Sequence, residues 1–314
     1  MSKKDKNEPA AIEAENLLSE LLALLNKTPD SELGVAESYF AERLFAKAPS
    51  SFFSSYTSEE LARVAREGFL ALKDFVKGSS SIAVKKDPDS SRAAYFSFTE
   101  DCPFIISSTI ECIRALNLSV EVIFHPIIPC GSKQIAVTYI LLDEDKDGVP
   151  KTFEGNLKEV LEDVRLATSS FDKMRAQCQG IKKSLLEPKK TGDNEENLEL
   201  AAFVEWLEMG SFLMLGTASW SVEGESKVAS KPTELHGVSK SKSPYLPQLM
   251  EELREDAQNL LQAKQQIWLS RLRIRSLVQR RARMHSVVIA VPEGGKKKLY
   301  CLIGLFTYAA HAGT

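Results

Sequence analysis

Between residues 82 and 174 the apolar pattern alternates between strand and helix spacing, and the order of those segments leaves few folds open. Ile82–Val84 and Ala94–Phe98 have the density of β-branched and aromatic residues expected of strands. Ile106, Ile110, Ile113 and Leu116 then recur at helical spacing. Val120–Ile128 is an apolar run bounded by Pro129 and Gly131, and Ile135–Leu142 reads as a further strand. From Phe153, the residues Leu157, Val160, Leu161, Val164, Phe171 and Met174 mark one long amphipathic helix. Strand, helix, strand, strand, helix is the split β-α-β order of a ferredoxin-like domain, in which two helices cover one face of a sheet. The chain is therefore expected to be α+β.

The flanks differ in texture. Residues 1–10 are charged and expected to fray. Ile12, Leu17, Leu18, Leu21, Leu22 and Leu25 then form a helical stripe, and a second helix is expected over Val35–Ala48. Thr57 and Glu60 make a capping box ahead of Leu61, Val64, Phe69, Leu72 and Phe75, and Gly78 ends that helix. On the other side, residues 187–197 are polar and punctuated by Pro188 and Gly192, which places a domain boundary there. A helix over Leu198–Glu208 and a strand over Phe212–Ser221 follow. Residues 222–244, rich in Ser, Lys and Gly, read as a mobile loop. Tyr245–Gln265 is a helix, Trp268–Val278 alternates as a strand, and Val287–Val291 with Leu299–Thr307 form a hairpin. Three parts result: a helical segment (1–80), a ferredoxin-like βαββα domain (81–187) and a second α/β domain (188–314).

Composition narrows function by exclusion. The 314 residues carry 40 basic and 43 acidic side chains, a net charge of −3, with no overall pull toward nucleic acid or an anionic membrane. Cys102, Cys112, Cys130, Cys178 and Cys301 are odd in number and none are at C-x-x-C spacing, so buried thiols are expected rather than disulfides or zinc. The first eleven residues lack the apolar stretch of a signal peptide, and no apolar run reaches the roughly 20 residues of a membrane helix. A cytoplasmic protein is the expectation. The glycine-rich nucleotide fingerprints, the nucleophile elbow and the H-E-x-x-H motif do not occur.

Three local features invite a chemical reading. Asp143, Asp145, Asp147, Gly148 and Glu154 fit the spacing of a calcium loop, three carboxylates converging on a hard cation with Glu154 to close the site. Pro150 and the strand-like segment ahead of it favour a solvated acidic turn instead, with Glu154 in a helix's first turn. Arg271, Arg273, Arg275, Arg280, Arg281 and Arg283 could grip phosphates, but the first three alternate with apolar residues as an exposed strand face does, and aromatics for base stacking are sparse. No nucleic-acid partner is expected. His125, ending an apolar run before Pro126, reads as a hydrogen-bonded structural residue, and Phe203, Trp206 and Phe212 read as core.

Three stretches carry a resemblance. The first runs Glu100-Asp101-Cys102-Pro103-Phe104-Ile105-Ile106-Ser107-Ser108 to Val122-Ile123-Phe124-His125-Pro126. The second is Ala202-Phe203-Val204-Glu205-Trp206-Leu207 through Phe212-Leu213-Met214-Leu215-Gly216. The third is Arg275-Ser276-Leu277-Val278-Gln279-Arg280, then Ile303-Gly304-Leu305-Phe306-Thr307-Tyr308-Ala309-Ala310. In this order they resemble the N-terminal region of the large bacterial NAD-specific glutamate dehydrogenases, over most of residues 45–314. Ser107 stands where that family's pattern has Asp, Gln279 where it has His, and the 143–154 acidic loop reads as an insertion.

The resemblance implies an ACT-like domain over 81–187 and a PAS-type domain over 188–314, with the dehydrogenase domain and its NAD site further along the parent protein. The segment itself would be non-catalytic and need no cofactor. It would sense small amino-acid effectors, or mediate self-association or contact with a downstream catalytic domain. ACT-like units place effectors near the first strand–helix loop, here Glu100–Phe104, which marks Asp101, Cys102, Phe104 and Asn117: Asp101 could meet an ammonium and Asn117 hydrogen-bond to it. Helix capping alone would also account for Asp101. The alternatives are a free-standing amino-acid sensor or scaffold, and a calcium-responsive module.

Overall fold

The computed structural model describes residues 8–87, 92–143, 148–187, 194–224, 226–293 and 296–307. They make two compact units, one through Cys102 plus Cys112–Leu161, the other Pro103–Glu111 plus the chain from Glu162. Both are built on antiparallel sheets, so the chain is α+β.

In the first unit, α1 (Glu8–Ala23), α2 (Glu37–Phe45), α3 (Ser50–Phe53) and α4 (Ser58–Lys77) precede the sheet. The capping box starts α4: Glu60 N–H donates to Thr57 Oγ1 at 3.2 Å and Thr57 N–H to Glu60 Oε2 at 2.8 Å. The strands are β1 (Ile82–Lys86), β2 (Ala93–Glu100), β3 (Val120–Phe124), β4 (Ile127–Cys130) and β5 (Lys133–Leu142). Their order is β1-β2-β5-β3, with β4 also on β5. Because β5 runs antiparallel to both β2 and β3, those two are parallel and split by β5, joined through α5 (Ile105–Ala115).

One sheet face meets the N-terminal helices. Phe96, Phe98, Phe124 and Tyr139 pack with Phe40, Phe45, Phe52, Leu61 and Leu72. Phe52 meets Phe124 edge-on at 4.9 Å, a geometry worth about 0.5–1.5 kcal/mol beyond burial. On the other face Tyr95 packs on Phe153, the first residue of α6 (Phe153–Ser169), at 4.7 Å. With both faces covered, β2 is buried along nearly its whole length, so its sequence is an apolar run with little alternation.

The second unit follows α6 with α7 (Phe171–Leu186) and α8 (Asn194–Trp206), then a π-helical turn, Leu207–Ser211. Its sheet holds β6 (Phe212–Glu223), β7 (Lys227–Val228), β8 (Glu234–Gly237), β9 (Ile267–Arg275), β10 (Arg283–Glu293) and β11 (Lys296–Phe306), with α9 (Leu246–Ala263) between β8 and β9. The order is β7-β6-β11-β10-β9, with β8 also on β6. Met174, Cys178 and Ile181 of α7 and Leu200 and Val204 of α8 pack on Met214, Val287, Ile289 and Leu302. Across the sheet, α9 buries Leu249, Leu253, Ala257 and Leu260. It is tied to β9 by Asp256, which accepts from Trp268 Nε1 at 3.2 Å and Ser270 Oγ at 2.5 Å.

Several expectations are corrected. The 120–128 run is two strands, because His125-Pro126 interrupts the pairing and Pro126 has no N–H to offer. The long helix from Phe153 is two helices, α6 and α7, meeting at Ser170. The segment 222–244 is no mobile loop: Ser239, Ser241 and Ser243 are buried, and Ser241 Oγ donates to the buried Asp163 at 2.6 Å. Trp206 is 39% exposed rather than core, at the end of α8. The 187–197 boundary lies largely outside the described residues. Among the described residues no helix is long and apolar enough to cross a membrane.

Candidate functional site

The turn Glu100–Phe104 connects β2 to α5. Asp101 N–H donates to Gln134 O at 2.8 Å, which fixes the turn to the start of β5. The capping role expected of Asp101 is not found. The helix begins at Ile105, and a cap must sit beside the first helical residue, whereas three residues separate Asp101 from it. Phe104 occupies that place with φ +74°, and its carbonyl accepts from Ser108 N–H at 3.0 Å and Ser107 Oγ at 3.2 Å. A left-handed backbone is uncommon for a bulky aromatic and has to be held by its surroundings.

Asn117 lies at the other end of α5 with φ +54°. Its N–H donates to Arg114 O at 3.0 Å, and Leu118 N–H to Ile113 O at 3.1 Å. This paired pattern closes a helix with a left-handed residue, a conformation that Asn tolerates, so helix termination alone accounts for the residue type. Of the expected effector residues, Asp101, the half-buried Cys102 and Asn117 belong to the first unit and Phe104 to the second.

The structure gives Asp101 a neighbour that the sequence did not suggest. Burial lowers the pKa of His125; the Asp101 charge raises it, and that of Lys47 lowers it. His125 Nδ1 also hydrogen-bonds Thr138 Oγ1 at 2.9 Å, in keeping with the structural role expected of it.

Phe104 lines an apolar cavity of about 310 Å³ in the second unit, with Pro103, Ala167, Thr168, Phe171, Leu213, Met214 and Leu215. Its wall depends on a bulge. Gly304 pairs with Met214 and Ile303 with Gly216, so Leu215 is the extra residue of β6. A regular strand turns successive side chains to opposite faces; the bulge breaks that alternation at Met214 and Leu215, and both line the cavity together with Leu213. Two glycines allow the approach. A Cβ on Gly304 would lie 2.1 Å from Leu213 O, and one on Gly237 2.1 Å from Leu215 O.

The remaining candidates sort quickly. Asp143 follows β5 and Glu154 stands in the first turn of α6, so strand and helix flank the acidic loop; Asp145 and Asp147 lie outside the described residues. Among the described residues no three His, Cys, Asp or Glu side chains gather as a metal site. Three of the arginines serve internal bonds: Arg273 to Glu252 at 3.1 Å, Arg275 to Arg281 O at 3.1 Å and Arg280 to Phe306 O at 2.6 Å. One arrangement escaped the sequence. His236 Nε2 meets Glu234 Oε1 at 2.9 Å, and Gln177 of α7 donates to Glu234 Oε2 at 3.1 Å. The two-residue spacing on a strand was the available signal, hidden because the segment read as a loop.

The fold and cavity define a two-unit α+β protein with an apolar cavity, open to solvent at Phe171, in its second unit. No family model matches the chain. Over 144 residues, 39% of the chain, it is 25% identical to an NAD-specific glutamate dehydrogenase of Halomonas elongata, and the match spans 9% of that enzyme's length. That likeness supports a distant relationship to NAD-specific glutamate dehydrogenases.

Proposed function

We propose that the chain is a regulatory or assembly segment of a protein related to NAD-dependent glutamate dehydrogenases, responding to small amino-acid effectors or holding subunits together. The carrying observation is the local likeness to the Halomonas elongata enzyme, since it falls on a chain whose motifs resemble that family in order. The parent protein would use NAD to convert glutamate to 2-oxoglutarate and ammonia; this segment would regulate that reaction and hold no cofactor itself. The split β-α-β connection of the first unit supports the ACT-like reading. The path β7-β6-β11-β10-β9, which sets the second unit's first strand against its last, supports the PAS-type reading.

The test is a thermal-shift screen of the chain against the twenty amino acids, beside sedimentation equilibrium. A rise in Tm with a subset of amino acids, or a concentration-dependent mass above 34.8 kDa, supports the reading. A monomer indifferent to every amino acid contradicts it.

A further inference from the structure

The cavity beside Phe104 is suited to one kind of occupant. Its volume of about 310 Å³ is at the small end of ligand pockets, which run from about 300 to 1,000 Å³, so it suits one compact group rather than a nucleotide. None of the lining side chains carries a charge. The one side-chain hydroxyl among them, on Thr168, donates to Val164 O at 2.8 Å and so is turned back onto its own helix. A charged group placed there would lose its hydration without a partner. Leu215 is fully buried and Ala167 nearly so, while Phe171 is 51% exposed, so the cavity has a closed apolar floor and an open aromatic rim.

We infer that this cavity binds the apolar side chain of an amino acid between leucine and phenylalanine in size, with the charged amino and carboxylate groups left in water beside Phe171. The amino-acid part rests on the proposed regulatory function; the apolar part rests on the cavity. Leucine buries three more carbons than alanine, which corresponds to roughly 30- to 100-fold tighter binding. Aspartate and arginine are excluded, because either would bring a charge against an uncharged wall.

Isothermal titration of the full chain with L-leucine, L-phenylalanine, L-alanine, L-aspartate and L-arginine tests this, repeated on Ala167→Phe, which fills the cavity from α6. Leu213→Trp fills it from β6 and serves if the first variant does not fold. The expected result is binding of leucine and phenylalanine, at least 30-fold weaker binding of alanine, none of the charged pair, and loss of leucine binding in the folded variant. Leucine binding unchanged by both fillings places the site elsewhere and overturns the inference. Binding of aspartate or arginine without leucine also overturns it, while leaving the regulatory reading in place. No binding of any of these five overturns the inference, while the sensing half of the regulatory reading falls only if the screen of all twenty is also silent.

Discussion

Gly304→Ala is the sharpest structural test, because the added atom meets backbone rather than a side chain that can swing aside. An ideal Cβ at Gly304 would lie 2.1 Å from Leu213 O and 2.7 Å from the Phe212 ring. A relaxed carbon–oxygen contact is about 3.3 Å, so β11 and β6 must separate locally by about 1 Å. That disturbs the pairing of Gly304 with Met214 beside the bulge. Overpacking of this kind costs about 1–3 kcal/mol, with the upper end expected where backbone obstructs. Alanine recovers about 0.5–1 kcal/mol through the lower entropy of the unfolded chain. The net loss is about 2 kcal/mol, which moves Tm down by about 4–8 °C for a unit of this size. Circular dichroism melts against wild type read it directly. Gly155→Ala is the control: it lies in α6 with open space where its Cβ would go, and should gain up to about 1 kcal/mol. A Gly304→Ala melt within about 2 °C of wild type would refute the account of how the cavity wall is built.

Four further outcomes are expected. Lys264 closes α9 in the left-handed region at φ +53°, so Lys264→Gly should raise stability by about 1 kcal/mol in urea titration. Burial holds the His125 pKa below its ordinary 6.5, so the unfolded chain takes up the proton first as pH falls; stability is full above about 6.5 and declines toward the folded pKa. Asp101 opposes that shift, so Asp101→Asn should lower the His125 pKa further in an NMR titration, and an unchanged value would refute the coupling. Burial pushes the Cys130 thiol up to about 11 and Cys178 up to about 12, and raises Cys301 as well. Alkylation of the native protein at pH 8 should therefore mark the half-buried Cys102 first, as mass spectrometry would show.

What could be read from the sequence followed from how local each cause is. The α4 cap needs only Thr57 and Glu60, and the buried positions Leu272 and Ile274 of β9 follow from strand alternation. The α6–α7 break was hidden because Ser170, at φ −96° and ψ −1°, stays near helical geometry and lets the apolar period run through. The order of residues 222–244 comes from Asp163, far away in sequence, accepting hydroxyls from Ser241 and Tyr245. Phe104 was singled out through the resemblance, from its place ahead of α5. Its cavity neighbours Leu213, Met214 and Leu215 have no local signal, since a bulge is set by a partner strand that the sequence does not name.

The most direct test of the account is a leucine titration of the intact chain followed by thermal unfolding. Occupancy at about 100 times Kd should add about 2.7 kcal/mol, raising Tm by about 5–11 °C. An unchanged Tm with leucine, phenylalanine and every other amino acid, in a chain that sediments as a monomer, would contradict the account.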